Sequence, residues 1–208
     1  MRTLPGMLLL ALVLALPGCQ AASKAKTDAE AGAGAVYAFT DWASGANPTK
    51  EGRTFFHGHT TAQREGLPMK NKIYINTSPG HCDVRYLRLI IGLKKPAGKD
   101  FTSPTLAGEL RIDDQAPVPI QYFYVLASTE RFIRIDTLDT LLDETVRAQL
   151  AQGTMIRLTV TVDKKTYTLP FTLRNYAEAM RSALDACQEA TASLDAASPP
   201  GPTGSPRS

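Results

Sequence analysis

The stretch Met155–Leu173, MIRLTVTVDKKTYTLPFTL, decides the fold class. Ile156, Leu158, Val160 and Val162 alternate with Arg157, Thr159 and Thr161, the period of a strand with one face buried. After the polar break at Asp163–Lys165, Tyr167, Leu169, Phe171 and Leu173 resume the alternation against Thr166, Thr168 and Thr172. Two such runs around a short break predict an antiparallel hairpin. Pro170 has no N–H to give a neighbour, so its strand is expected at an edge or a bulge.

Working outward, the same period recurs. Leu106, Leu110 and Ile112 alternate with Glu109, Arg111 and Asp113, and beyond the turn-prone DDQAP come Val118, Ile120, Tyr122, Tyr124 and Leu126. This predicts a second hairpin, with Asp113 and Asp114 in its turn, where aspartates cap backbone amides. Lys72–Thr77 is a further short strand, and Val84–Leu93 is apolar enough for a central strand covered on both faces. Two helices are expected. Thr137–Gln152 repeats Leu138, Leu141, Leu142, Val146 and Leu150 before Gly153. Asn175–Glu189 opens with Asn175 and Glu178 in capping-box spacing, then sets Tyr176, Met180, Ala183, Leu184 and Cys187 on one stripe. The fold class is therefore mainly β: an antiparallel β-sandwich or partly open barrel with two helices.

The chain begins with Arg2, an apolar core from Met7 to Leu16, and Gly18 before Cys19, the three parts of a secretory signal peptide. That core is about half the roughly 20 residues of a membrane span. Leu16-Pro17-Gly18-Cys19 resembles the lipobox of bacterial lipoproteins. The resemblance implies cleavage before Cys19, lipid on its sulfur and, with Gln20 following, residence at the outer membrane on its periplasmic face. Acyl chains at about 0.8 kcal/mol per buried methylene would hold the protein there. Residues 1–18 are thus read as signal, 19–35 as a small, polar tether with a reach of about 20 Å, 36–190 as one domain, and the Pro-, Gly- and Ser-rich 191–208 as a disordered tail.

Loss of Arg2 with the signal lowers the net charge from +3 to +2. Such a balance, in an exported chain, argues against nucleic acid as partner. With Cys19 assigned to lipid, Cys82 and Cys187 remain, and an even pair in an oxidising compartment forms a disulfide. That bond would tie the C-terminal helix to the sheet. The competing reading makes His81 the base for a Cys82 nucleophile, but neighbours on a strand point to opposite faces.

From Leu106 to Tyr122 and from Leu141 to Cys187 the pattern resembles periplasmic domains of the invasion-associated locus B type and accessory lipoproteins of type VI secretion clusters. The corresponding residues are Arg111-Ile112-Asp113, Gly153, Phe171-Thr172-Leu173 and Ala177 through Cys187. The resemblance implies a β-sandwich and carries no catalytic residue with it.

Motifs for chemistry are few. G-x-S-x-G, a phosphate-binding loop, H-E-x-x-H and C-x-x-C are all missing from the sequence. His57 and His59 would share one side of a strand, which is half a metal site; the simpler reading is two histidines without a metal, able to respond to pH. Phe123 and Arg131 are the surface candidates for stacking on a ligand. No cofactor is expected. The expected function is non-enzymatic: a lipid-anchored periplasmic protein binding an envelope or secretion-system component. A periplasmic inhibitor or immunity protein, and a metal-dependent cell-wall hydrolase, are the alternatives.

Overall fold

A computed structural model describes residues 36–50, 52–65, 70–138 and 143–197. The signal segment, Cys19 with its lipobox, the tether, Leu141, Leu142 and residues 198–208 lie outside the described residues.

Among the described residues eleven strands form one antiparallel sheet: β1 (Tyr37–Phe39), β2 (Ala43–Pro48), β3 (Thr54–Arg64), β4 (Asn71–Ser78), β5 (His81–Gly92), β6 (Phe101–Thr102), β7 (Leu106–Ile112), β8 (Val118–Leu126), β9 (Phe132–Thr137), β10 (Met155–Val162) and β11 (Lys165–Thr172). The spatial order is β1-β3-β4-β5-β9-β8-β7-β10-β11, with β2 continuing β1 along β3 and β6 lying beside β8. The sheet curls into a nearly closed barrel, so of the two expected architectures the barrel is found.

Both predicted hairpins are present. Val162 pairs Lys165 across Asp163 and Lys164, both at positive φ, and Leu106 pairs Tyr122 across the longer turn. β11 ends the strand order, which accounts for Pro170. The alternating sets become the interior: Ile120, Tyr122, Tyr124, Leu126, Ile156, Leu158, Val160, Val162, Leu169 and Phe171 are all buried. In the turn after β7, Asp113 accepts hydrogen bonds from Thr154 N–H, Thr154 Oγ1 and Met155 N–H. Those bonds, chiefly from the Thr154 hydroxyl, hold its carboxyl below the usual carboxylate range.

Four expectations are corrected. β5 is central but buries only Leu87, Leu89 and Ile91, while Tyr86, Arg88 and Ile90 are half-exposed on the other face. Helix α1 spans Glu144–Gln152, not Thr137–Gln152. Thr137 ends β9, where its hydroxyl bonds both the N–H and the carbonyl of Leu87, and Asp143 caps the helix through Val146 N–H. Helix α2 runs Tyr176–Ala197, so 191–197 are helical rather than tail. Asn175 also behaves differently from the expected cap: it takes positive φ, and its side chain donates to Asp41.

Helix α2 covers the inner face of β3 and β4. Gly58 permits its approach, since a Cβ there would meet Met180 Sδ at 2.6 Å. The Cys82–Cys187 disulfide fastens the helix to β5 across a sequence separation of 105 residues. A loop of that size constrains the unfolded chain by nearly 5 kcal/mol at most.

At the seam between β1/β2 and β11, Trp42 donates its backbone N–H to Arg174 O (3.0 Å) and its indole N–H to Thr172 O (2.6 Å). Asp41 adds an ion pair with Arg174. Replacing Trp42 by Phe keeps ring packing but leaves the Thr172 carbonyl unpaired. Thermal or urea unfolding should then show a loss of about 1–2 kcal/mol; an unchanged midpoint would remove the indole bond from the closure.

Candidate functional site

Antiparallel register places directly opposed residues on the same face. Following it across the outer face joins His59 to Tyr74, Tyr74 to Arg88, Arg88 to Asp136 and Asp136 to Phe123. Five strands at about 4.8 Å spacing make a row of roughly 20 Å. A second row beside it carries Gly45, His57, Asn76 and Tyr86.

Three sequence candidates, His57, His59 and Phe123, therefore share one surface. The imidazoles of His57 and His59 lie 5.2 Å apart, and the Tyr74 ring is 5.2 Å from the first and 5.6 Å from the second, stacked on the latter. Gly45 makes this arrangement possible: a Cβ there would come within 2.8 Å of His57 Nε2, so the ring rests on bare backbone. His57 is buried although it lies on the outer face. Burial holds its pKa below the ordinary value, with the neighbouring His59 adding to the effect. His59 is likewise lowered by burial, then by Lys72. Both rings therefore take up a proton less readily than a free imidazole. Each Nδ1 is buried and makes no hydrogen bond.

The two histidines alone do not build a metal centre. Among the described residues no group of three His, Cys, Asp or Glu side chains comes together, and His81 stands apart, exposed at the start of β5. Its neighbour Cys82 is in the disulfide, which removes the His81–Cys82 nucleophile reading.

Further along the row, Asp136 is buried and binds two guanidinium groups, Arg88 Nε at 2.5 Å and Arg134 Nε at 3.1 Å. Those arginine side chains remain 37% and 42% exposed, so each keeps donors and a planar face toward solvent. Tyr86 packs edge-on against Phe55 at 5.9 Å. Phe123 lies half-buried at the end of the row. Arg131 is exposed but serves the loop before β6, donating to Lys94 O at 2.6 Å; it does not join the row.

Aromatic faces and arginines in alternation suit recognition by stacking and hydrogen bonding. Tyr74, Arg88 and Asp136 escaped the sequence reading. Arg88 sits in a segment whose apolar character is nearly continuous, and Asp136 falls next to the expected helix start, although Ile133 and Ile135 alternating with Arg134 and Asp136 is a usable signal. A shallow groove of about 350 Å³ between β2 and α2, lined by Trp42, Ser44, Asn175, Glu178 and Ser182, is a separate feature. Compared with protein-family models, curated proteins and solved structures, the chain finds no match.

The lowered histidines fix a pH dependence. In the unfolded chain they take up protons below about 6.5, whereas in the folded chain they do so only at lower pH. Stability is therefore full above the unfolded value and declines as pH falls toward the folded pKa values, levelling off beneath them. The melting temperature should drop between pH 7.5 and 5, and His57→Gln should reduce that slope while Arg174→Gln leaves it intact. Equal slopes in all three proteins would contradict the burial argument.

Proposed function

We propose that this chain is a lipid-anchored lipoprotein of a bacterial envelope, acylated on Cys19 and held at the periplasmic face of the outer membrane. There it presents the outer face of β3, β4, β5, β9 and β8 to an envelope or secretion-system protein. It works by binding, not by catalysis. The observation that carries the binding part is the row His59–Tyr74–Arg88–Asp136–Phe123, which sets rings and guanidinium groups on one face of a rigid, disulfide-tied sheet. Interfaces draw most of their affinity from such aromatic and arginine anchors.

The anchoring part is supported by the lipobox pattern Leu16–Cys19 and by the small, polar composition up to the first strand. An accessory role in an assembly is the specific form, in keeping with the pattern around Arg111-Ile112-Asp113 and Phe171-Thr172-Leu173.

A photo-crosslinking residue in place of Phe123, with the protein expressed in its own cell, should yield one discrete adduct. The same probe at Thr168, on the outer face of β11, should yield none. Labelled palmitate should enter the protein and be lost in Cys19→Ser. Adducts that do not differ between the two positions would defeat the binding reading, and label retained in Cys19→Ser would defeat the anchor.

A further inference from the structure

Strand register sorts the ends of the barrel as well as its faces. Tyr37 pairs with Arg64, Asn71 with Ala62, Gly92 with Phe132 and Phe101 with Leu126, so these strand ends share one rim. The β10–β11 turn joins them, since Lys99 Nζ lies 3.2 Å from Asp163 Oδ2. The β4–β5 and β7–β8 turns, α1 and the disulfide lie at the opposite end.

Charge is divided between the two. Around the ends of β3 and β4 the rim carries Arg64, Lys70 and Lys72, all exposed. The loop after β5 adds Lys94, Lys95 and Lys99, and two turns add Arg131, Lys164 and Lys165, exposed likewise. Four carboxylates stand among these nine cations: Glu65, Asp100, Glu130 and Asp163. Asp100 turns back onto Ser128, accepting from its N–H at 2.7 Å and from its hydroxyl at 3.2 Å. At the opposite end the balance reverses, with Asp83, Asp113, Asp114, Asp143 and Glu144 against Lys50, Arg53 and Arg147. Of the eight lysines among the described residues, only Lys50 is found there. A chain of nearly balanced total charge is thus polarised along its axis.

Two further features mark the basic rim. Phe101 is 41% exposed, with Lys99 Nζ 5.5 Å from its ring centre, and Lys165 Nζ lies 5.0 Å over the Tyr167 ring. Amines over rings at an exposed edge suit the headgroup layer of a bilayer, where rings take the apolar side and amines stay with phosphates. The described chain also begins here, as Val36 O accepts from Glu65 N–H at 2.9 Å. The 17 residues from Cys19 to Ala35 therefore lead into this rim.

We infer that the basic rim is a membrane-docking surface that rests on anionic phospholipid headgroups and stands the barrel on end over the bilayer. The inference builds on the proposed anchor at Cys19: the anchor supplies proximity and the rim supplies orientation. A link of that length spans at most about 60 Å and imposes no posture by itself. Each lysine within a Debye length of the surface, about 8 Å at physiological salt, favours the docked state about fivefold. Docking on this end turns the acidic end away from the membrane. It also leaves the row from His59 to Phe123 on the side wall, open to a partner.

The test places the full chain, purified from its envelope in neutral detergent, into vesicles of phosphatidylcholine alone or of phosphatidylcholine and phosphatidylglycerol in equal parts. Acetylation of each lysine is then followed by mass spectrometry. Lys94, Lys95, Lys164 and Lys165 should react about fivefold or more slowly on the anionic vesicles. Lys50 should react alike on both, and raised salt should erase the difference. Lys164→Gln combined with Lys165→Gln, at two exposed turn positions, should return reactivity to Lys94 and Lys95. Flotation with pure phosphatidylcholine reports the anchor alone. A chain that floats with it but shows equal lysine reactivity on both vesicles overturns this inference and leaves the anchor standing. One that floats only with the anionic vesicles, its rim lysines protected, overturns the anchor and leaves the docking surface. Slowing of Lys50 to the same degree as the rim, or protection unchanged by salt and by the double variant, would also sink the inference.

Discussion

A sheet that curls on itself must still bring its first and last strands together, and in this protein that task falls to Trp42. It occupies the gap between β1 and β2, where the edge chain leaves β3 and its backbone N–H is free to reach across to Arg174. Its indole N–H takes the carbonyl of Thr172 at the end of β11. Asp41, one residue earlier, holds Arg174 and Asn175 from the solvent side. Open edges expose rows of unpaired donors and acceptors that invite association with other chains. Here a side chain and an ion pair close the part of the gap that no ladder spans.

The same closure positions α2. Asn175, at positive φ, turns the chain from β11 into the helix, and the Trp42 ring meets Tyr176 edge-on at 4.9 Å. From there the helix runs over Gly58, through Met180, to Cys187 and its disulfide with β5. Near that far end, Thr191 receives the Gly80 N–H and bonds the Cys187 carbonyl. The helix is fixed at its start by the seam and in its second half by the disulfide. Its inner face therefore has one register on the sheet.

Which parts of this were legible in the sequence follows from the range of the interactions. The hairpins β7–β8 and β10–β11 could be read because alternation and turn residues are local signals. So could the stripe of α2 and the pairing left to Cys82 and Cys187 once Cys19 was set aside. The seam could not: nothing near Trp42 in the chain announces Thr172, 130 residues away. β9 is hard to see in the sequence because Thr137, a strand-ending residue whose hydroxyl serves β5, stands where the apolar spacing predicts the start of a helix. The binding row was half legible. H-x-H put two histidines on one face, but Tyr74, Arg88 and Asp136 come from three other strands, and only register brings them into line.

β5 shows why position in a strand, rather than residue type, decides what an arginine meets. In VRYLRL, Arg85 and Arg88 are chemically the same and three residues apart, an odd interval. On a helix that spacing would put them side by side; on a strand it sends them to opposite faces. Arg88 turns outward and finds Asp136, a buried carboxylate shared with Arg134. Arg85 turns inward, toward Tyr176 and a second arginine. The outer guanidinium has its counter-charge within the fold and is left to offer its face and remaining donors to a partner. The inner one meets a buried phenol instead, and burial weakens its hold on its proton. One strand thereby gives two identical side chains different surroundings, and a substitution on either face can address one without touching the other.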